Sequence, residues 1–176
     1  WYNETVRIEL IADELVETLY SWDGDTFNLY NRYLESPEGE HVLSFYSIDE
    51  AGNQEYLKEV VIRTDTISPI TTITLFPEEP DGTNGIYTSI PEIYFYSDDP
   101  EAVSYFYWDD QLPLVYDPLM DEIIPTIGSH NLSFYSVDTA NNKEETQHIE
   151  IIIDVNPPIT RFTREPMFPD GDNDWY

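Results

Sequence analysis

The chain contains no cysteine. Disulfides, thiolate nucleophiles and cysteine-based zinc sites are thereby excluded. Positive charge is almost as scarce: 7 Lys and Arg stand against 36 Asp and Glu in 176 residues, a formal net charge of −29. Phosphate backbones and anionic lipid surfaces are held by clustered Lys and Arg, so nucleic acid is not an expected partner. No apolar run approaches the ~20 residues that a membrane-spanning helix needs, and no direct membrane insertion is expected. The chain opens on Trp1-Tyr2 with neither an initiator Met nor a signal peptide. The expectation is a mature product or a piece of something longer.

What is present is aromatic and β-branched. Hydrophobic residues make up 40% and aromatics 15%, with 14 Tyr, 8 Phe and 4 Trp. That is enough material for a packed core, so the acidity does not imply disorder. Ala-rich helical stretches are missing, and the composition favours strands. The anionic surface favours solubility and attracts cations such as Ca²⁺.

The phrase "SFYSIDEAGN" at 44–53 returns as "SFYSVDTANN" at 133–142. Phe45 to Phe134, His41 to His130 and Asn53 to Asn142 are each separated by 89 residues, as are Asp65 and Asp154, Pro69 and Pro158. Upstream the spacing slips to 86 for Trp22 and Trp108 and to 85 for Tyr2 and Tyr87. Small slips of this kind mark loop-length changes between retained elements. "PDGDNDWY" (169–176) matches "PDGTNGIY" (80–87), and its last two letters are also the first two of the chain. The expectation is a window on a longer tandem array, divided into 1–68 (a repeat lacking its first strand), 69–157 (a complete repeat) and 158–176 (the first strand and loop of a following repeat).

Alternation with period two predicts strands. In "TVRIEL" Val6, Ile8 and Leu10 share one face and Arg7 and Glu9 the other. Ile93 and Phe95 hold the equivalent inward places. "TLYSWDGD" sets Tyr20 and Trp22 on a core face, followed by an Asp23-Gly24 hairpin turn. "SYFYWDD" does the same with Phe106 and Trp108. Later strands are "HVLSFYSID" and "HNLSFYSVD", then "KEVVIRTD" and "HIEIIIDV". Short strands separated by Pro, Gly, Asn and Asp predict an all-β fold of tandem immunoglobulin-like β-sandwich repeats. Gly52 is expected to take a left-handed conformation, with Asn141 replacing it in the second copy.

Tyr46-Ser-Ile-Asp49-Glu-Ala-Gly52-Asn53 and Tyr135-Ser-Val-Asp138-Thr-Ala-Asn-Asn142 resemble the Y-x-x-D-x-A-G-N signature of prokaryotic immunoglobulin-like repeats. The Gly-x-His openings at 39–41 and 128–130 and the Asp-x-x-x-Pro junctions fit the same type. The resemblance spans essentially the whole chain. It implies an extracellular location in arrays, among bacterial and archaeal surface proteins, adhesins, envelope layers such as S-layers, or spacers of secreted enzymes. Implied partners are neighbouring repeats or subunits of the same protein, surface glycans and other cell-surface proteins.

Enzyme chemistry is not expected. His41 and His130 recur at equivalent strand positions, which points to structure, and no phosphate loop, Ser elbow or His-Glu-x-x-His motif is present. No catalytic residue is assigned. Ca²⁺ is the one candidate cofactor. Asp170, Asp172 and Asp174 in "DGDND" place hard oxygen donors at alternate positions, and Asp81 and Asn84 hold the equivalent places in "DGTNG". An Asx/Gly turn leading into a strand accounts for the same letters. Asp13-Glu14, Asp98-Asp99, Asp65 and Asp154 lie near the junctions, where a cation would stiffen adjacent units. Asn3-Glu-Thr5 and Asn131-Leu-Ser133 are glycosylation sequons. Tyr94 and Tyr105 are candidates for glycan contact or for covering a sheet face. The expected function is a structural repeat of a cell-surface protein or filament, including assembly by strand complementation between subunits. The alternatives are a calcium- or carbohydrate-binding adhesion module and a spacer domain of a secreted enzyme.

Overall fold

A computed structural model describes residues 1–14, 16–119, 123–163 and 165. The fold is all-β, with no helix among the described residues. Six strands precede the first proline junction: β1 (Arg7–Ile8), β2 (Val16–Trp22), β3 (Asn28–Leu29), β4 (Leu34–Glu35), β5 (Gly39–Asp49) and β6 (Lys58–Thr64). Seven follow it: β7 (Thr71–Phe76), β8 (Ile86–Tyr87), β9 (Glu92–Ser97), β10 (Val103–Trp108), β11 (Leu114–Val115), β12 (Gly128–Val137) and β13 (Gln147–Ile153). Among the described residues, strands of each set pair only within their set.

In the second unit β11-β10-β12-β13-β8 form one sheet, and the antiparallel pair β7-β9 forms the other. Alternate residues of both sheets meet in one core. Leu75, Ile93 and Phe95 come from the small sheet, and Tyr87, Phe106, Leu132, Phe134, Ile151 and Ile153 from the large one. Phe95 stacks on Phe134 with ring centroids 4.9 Å apart. Two sheets facing each other across such a layer are a β-sandwich.

The first unit repeats the large sheet as β3-β2-β5-β6. Tyr2 bridges Thr64 in parallel, as Tyr87 pairs with Ile153. Its second sheet is only β1 paired with β4. The strand predicted over "TVRIEL" is thus cut to Arg7–Ile8. In the second unit β9 runs full length because every residue of it pairs with β7. Among the described residues none pairs with Glu9 and Leu10 as β7 pairs with β9. The core is smaller too: buried Leu34, Leu43 and Ile62 with half-buried Ile8, Leu10, Tyr20, Trp22, Tyr30 and Phe45 around them. Phe134 is 3% exposed, whereas its counterpart Phe45 is only half-buried.

Candidate functional site

The first repeated constellation sits at the turn after β2 and after β10. Asp23 and Asp109 adopt positive φ (52° and 50°), which aims each carboxylate back at the neighbouring strand. Asp23 Oδ1 accepts from the Val42 N–H at 2.7 Å, and His41 Nδ1–H donates to Oδ2 at 2.5 Å. The far nitrogen of His41 donates to the Glu38 carbonyl at 2.7 Å. Asp109 repeats this with the Asn131 N–H at 2.9 Å and His130 Nδ1 at 2.8 Å, but His130 Nε2 meets the Thr126 hydroxyl instead. The hydrogen bond to Asp23, and then the Glu38 carbonyl, raise the His41 pKa above its ordinary 6.5. The hydrogen bond to Asp109 raises that of His130. Asp23 and Asp109 are lowered, first by their histidines and then by the backbone N–H each accepts. Each imidazole also lies edge-on to a tryptophan, Trp22 or Trp108. These side chains hold a hairpin to a strand.

The second constellation is the corner between β5 and β6 and between β12 and β13. Asp49 accepts from the Asn53 N–H and from Asn53 Nδ2, each at 2.8 Å. These bonds, the side-chain one first, lower its pKa. Asp138 and Asn142 repeat both bonds at 2.8 Å. Gly52 closes the corner at φ 88° and Asn141 at φ 75°, the left-handed region that glycine and asparagine tolerate. The second copy makes one further bond: Asn142 Nδ2 also donates to the Asp65 carbonyl at 2.7 Å. The corner of one unit thus grips the chain leaving the other.

Beside that corner, Glu144 lies buried. It accepts from the Thr71 N–H at 3.0 Å, from the Thr71 hydroxyl and from the Ser136 N–H at 2.6 Å. Thr71 further bonds Ser136 Oγ at 2.6 Å, and Gln147 Nε2 donates to the Thr71 carbonyl at 2.7 Å. A buried carboxylate is tolerated only with such partners. This lock was missed in the sequence. Its signal was there, because Thr71, Ser136 and Glu144 all recur at the 89-residue spacing as Thr160, Ser47 and Glu55.

The residues singled out as ligands fall into local turns. Asp81 accepts from the Thr88 N–H at 2.6 Å and the Ser89 hydroxyl at 2.8 Å, which lower its pKa in that order. Asn84 stands in the same turn at φ 57°, and a Cβ on Gly82 would meet the Ile86 carbonyl oxygen at 2.7 Å. Asp170, Asp172 and Asp174 lie outside the described residues. Asp98 accepts from the Ile70 N–H, Asp99 from Glu101, Asp65 from Ile67 and Asp154 from Asn156. Among the described residues no group of three or more His, Asp or Glu is arranged to hold a metal ion. Asn3 is exposed before β1, and Asn131 projects from β12 with its side chain exposed. Tyr94 is 50% exposed on the small sheet, whereas Tyr105 is half-buried and stacked on Tyr135 at 5.1 Å.

The chain matches no protein-family model and no curated protein. Among solved structures it is similar to the fibronectin(III)-like modules of Clostridium thermocellum CbhA. The identity is 11%, 93% of each chain is covered, and the TM-score is 0.37. The β-sandwich reading rests on the sheets and cores themselves.

Proposed function

We propose that this chain is a structural repeat module of an extracellular, cell-surface protein or filament, of the stalk, envelope-layer or adhesin-array kind. The observation that carries the reading is the Asn142–Asp65 bond, in which a repeated corner captures the strand exit of the preceding unit. A side chain so used sets the junction between units, which is what an array needs. The prokaryotic immunoglobulin-like signature at 46–53 and 135–142 supports the same reading. So does the fate of the repeated polar residues, Asp23, His41, Asp49 and Asn53 with their counterparts, which are spent on holding turns. The anionic surface keeps such an array hydrated and soluble. Strand addition between subunits belongs to this reading, and its partners are other copies or repeats of the same protein. The chain itself would perform no catalysis.

Single-molecule stretching of the chain tests the mechanical role: two discrete unfolding events are expected. Calorimetry with Ca²⁺ and a glycan array are expected to show no saturable binding. Micromolar capture of a glycan, or a Ca²⁺-dependent rise in melting temperature reversed by chelator, would replace the structural reading with an adhesion module.

A further inference from the structure

The two spacings of the repeat, 86 and 89 residues, meet in one loop. Tyr30 and Tyr116 keep the first and Leu34 and Ile123 the second, so residues 31–33 stand where the second unit has 117–122. Beside this shortened loop the first unit carries a pocket of about 400 Å³, lined by Tyr20, Trp22 and residues 31–35. That volume suits a small ligand. Where the second unit sets Phe106 edge-on to Tyr116 at 6.4 Å, both buried, the first has half-buried Tyr20 and Tyr30. Leu34 is buried as its counterpart Ile123 is, so the shortening opens the surface without unseating that part of the core.

The charges in the pocket are unmatched. Arg7, Lys58 and Arg63 pair with Glu9, Glu55 and Glu40, and Lys143 lies over the Tyr135 ring. Among the described residues of the two units, Arg32 is the one Lys or Arg whose side chain has neither an acidic nor an aromatic partner. Glu35 is unpaired as well. Arg7 stands directly opposite it in the β1–β4 ladder but turns to Glu9 and to the Tyr33 ring, 4.1 Å from the centroid. One cation and one anion, not paired with each other, thus line a pocket with three aromatic residues, Tyr20, Trp22 and Tyr33. A purely anionic ligand would meet Glu35 and the −29 charge of the chain, and a purely cationic one would meet Arg32. A zwitterion satisfies both. Aromatic rings beside a carboxylate suit a methylated ammonium through its attraction to their faces, and a guanidinium suits a phosphate.

We propose that this pocket binds a phosphocholine group. The trimethylammonium lies among Tyr20, Trp22 and Tyr33 beside Glu35, and the phosphate is held by Arg32, with the Asn31 amide as a further donor. The same chemistry is offered by a free phosphodiester and by a lipid headgroup. The site belongs to one repeat only. Glu35 is replaced by Ile124 in the second unit, and Arg32 and Tyr33 fall where the two loops differ in length. The polar residues that do recur, such as Asp23 and Asp49, are engaged in turns. The inference goes beyond the structural-module reading and does not depend on it.

Glycerophosphocholine is the direct probe, with choline and glycerol 3-phosphate as its two halves. Calorimetry on the whole chain should show one site with a dissociation constant of about 0.1–1 mM, at least ~10-fold tighter than for either half. Arg32→Gln should weaken glycerophosphocholine about ten-fold without weakening choline. Glu35→Gln and Tyr33→Leu should weaken both. All three side chains are exposed, so the variants should keep the parental melting curve. Vesicles of phosphatidylcholine separate the two sources. Co-sedimentation that glycerophosphocholine reverses assigns the lipid headgroup, and calorimetric binding without co-sedimentation assigns the free diester. No saturable heat up to about 10 mM glycerophosphocholine would overturn the proposal. So would equal affinity for choline alone, or an affinity that Arg32→Gln and Tyr33→Leu leave unchanged. None of these results touches the stretching test of the structural-module reading, so the two can fail separately.

Discussion

Asn142 and Asp65 are 77 positions apart in the chain and joined by one hydrogen bond of 2.7 Å, from the side-chain amide of one to the carbonyl of the other. Asn53, the counterpart of Asn142, makes the same bonds to its aspartate and, among the described residues, none to a linker. Asn142→Ala should therefore cost more than Asn53→Ala, by about 1 kcal/mol for the extra bond. Urea denaturation of the two variants measures the difference, and equal losses would show that the junction contributes nothing.

Glu144 gives a sharper contrast. Glu144→Gln sets an amide against the Thr71 and Ser136 donors and should destabilise the second unit by about 2 kcal/mol. Glu55 makes a 2.5 Å ion pair with Lys58 in its half-open counterpart site, and that pair lowers its pKa. Glu55→Gln should leave the melting curve of a dilute sample nearly unchanged. Two variants with equal melting shifts would contradict the burial argument.

The aromatic pair follows the same logic. Phe134→Ala empties a buried place in the second core, stacked on Phe95, and should cost about 3–5 kcal/mol. Phe45 lines an open groove, where neighbours can collapse and water can enter. Phe45→Ala should cost roughly half as much in dilute solution. Chemical denaturation followed through the tryptophans measures both.

The histidines fix a pH window. His41 and His130 have raised pKa values in the fold, so their contribution is fully present below 6.5 and is lost as pH rises through the raised values. Asp23 and Asp109 are lowered from 3.8, so theirs is present above 3.8 and is lost as pH falls through the lowered values. The melting temperature should be highest between about pH 4 and 6.5 and fall toward pH 8. His41→Asn with His130→Asn should flatten the alkaline side. NMR titration should place both histidines above 6.5.

The sequence by itself determined the repeat, the all-β class and the inward faces. Each depends on period-two patterning, turn chemistry or self-similarity, and these are local. The left-handed corner at Gly52 and Asn141 was legible for that reason, since a backbone that only glycine or asparagine tolerates leaves its mark on one position. The tertiary structure alone decided which repeated letters act together. Asp23 with His41, and Thr71 with Glu144, are set side by side by strand pairing across 18 and 73 positions, and no local pattern encodes such distances. It also decided that "TVRIEL" is a strand for only two residues. A strand exists through its hydrogen-bonded neighbours as much as through its own side chains, and among the described residues none pairs with β1 as β7 pairs with β9.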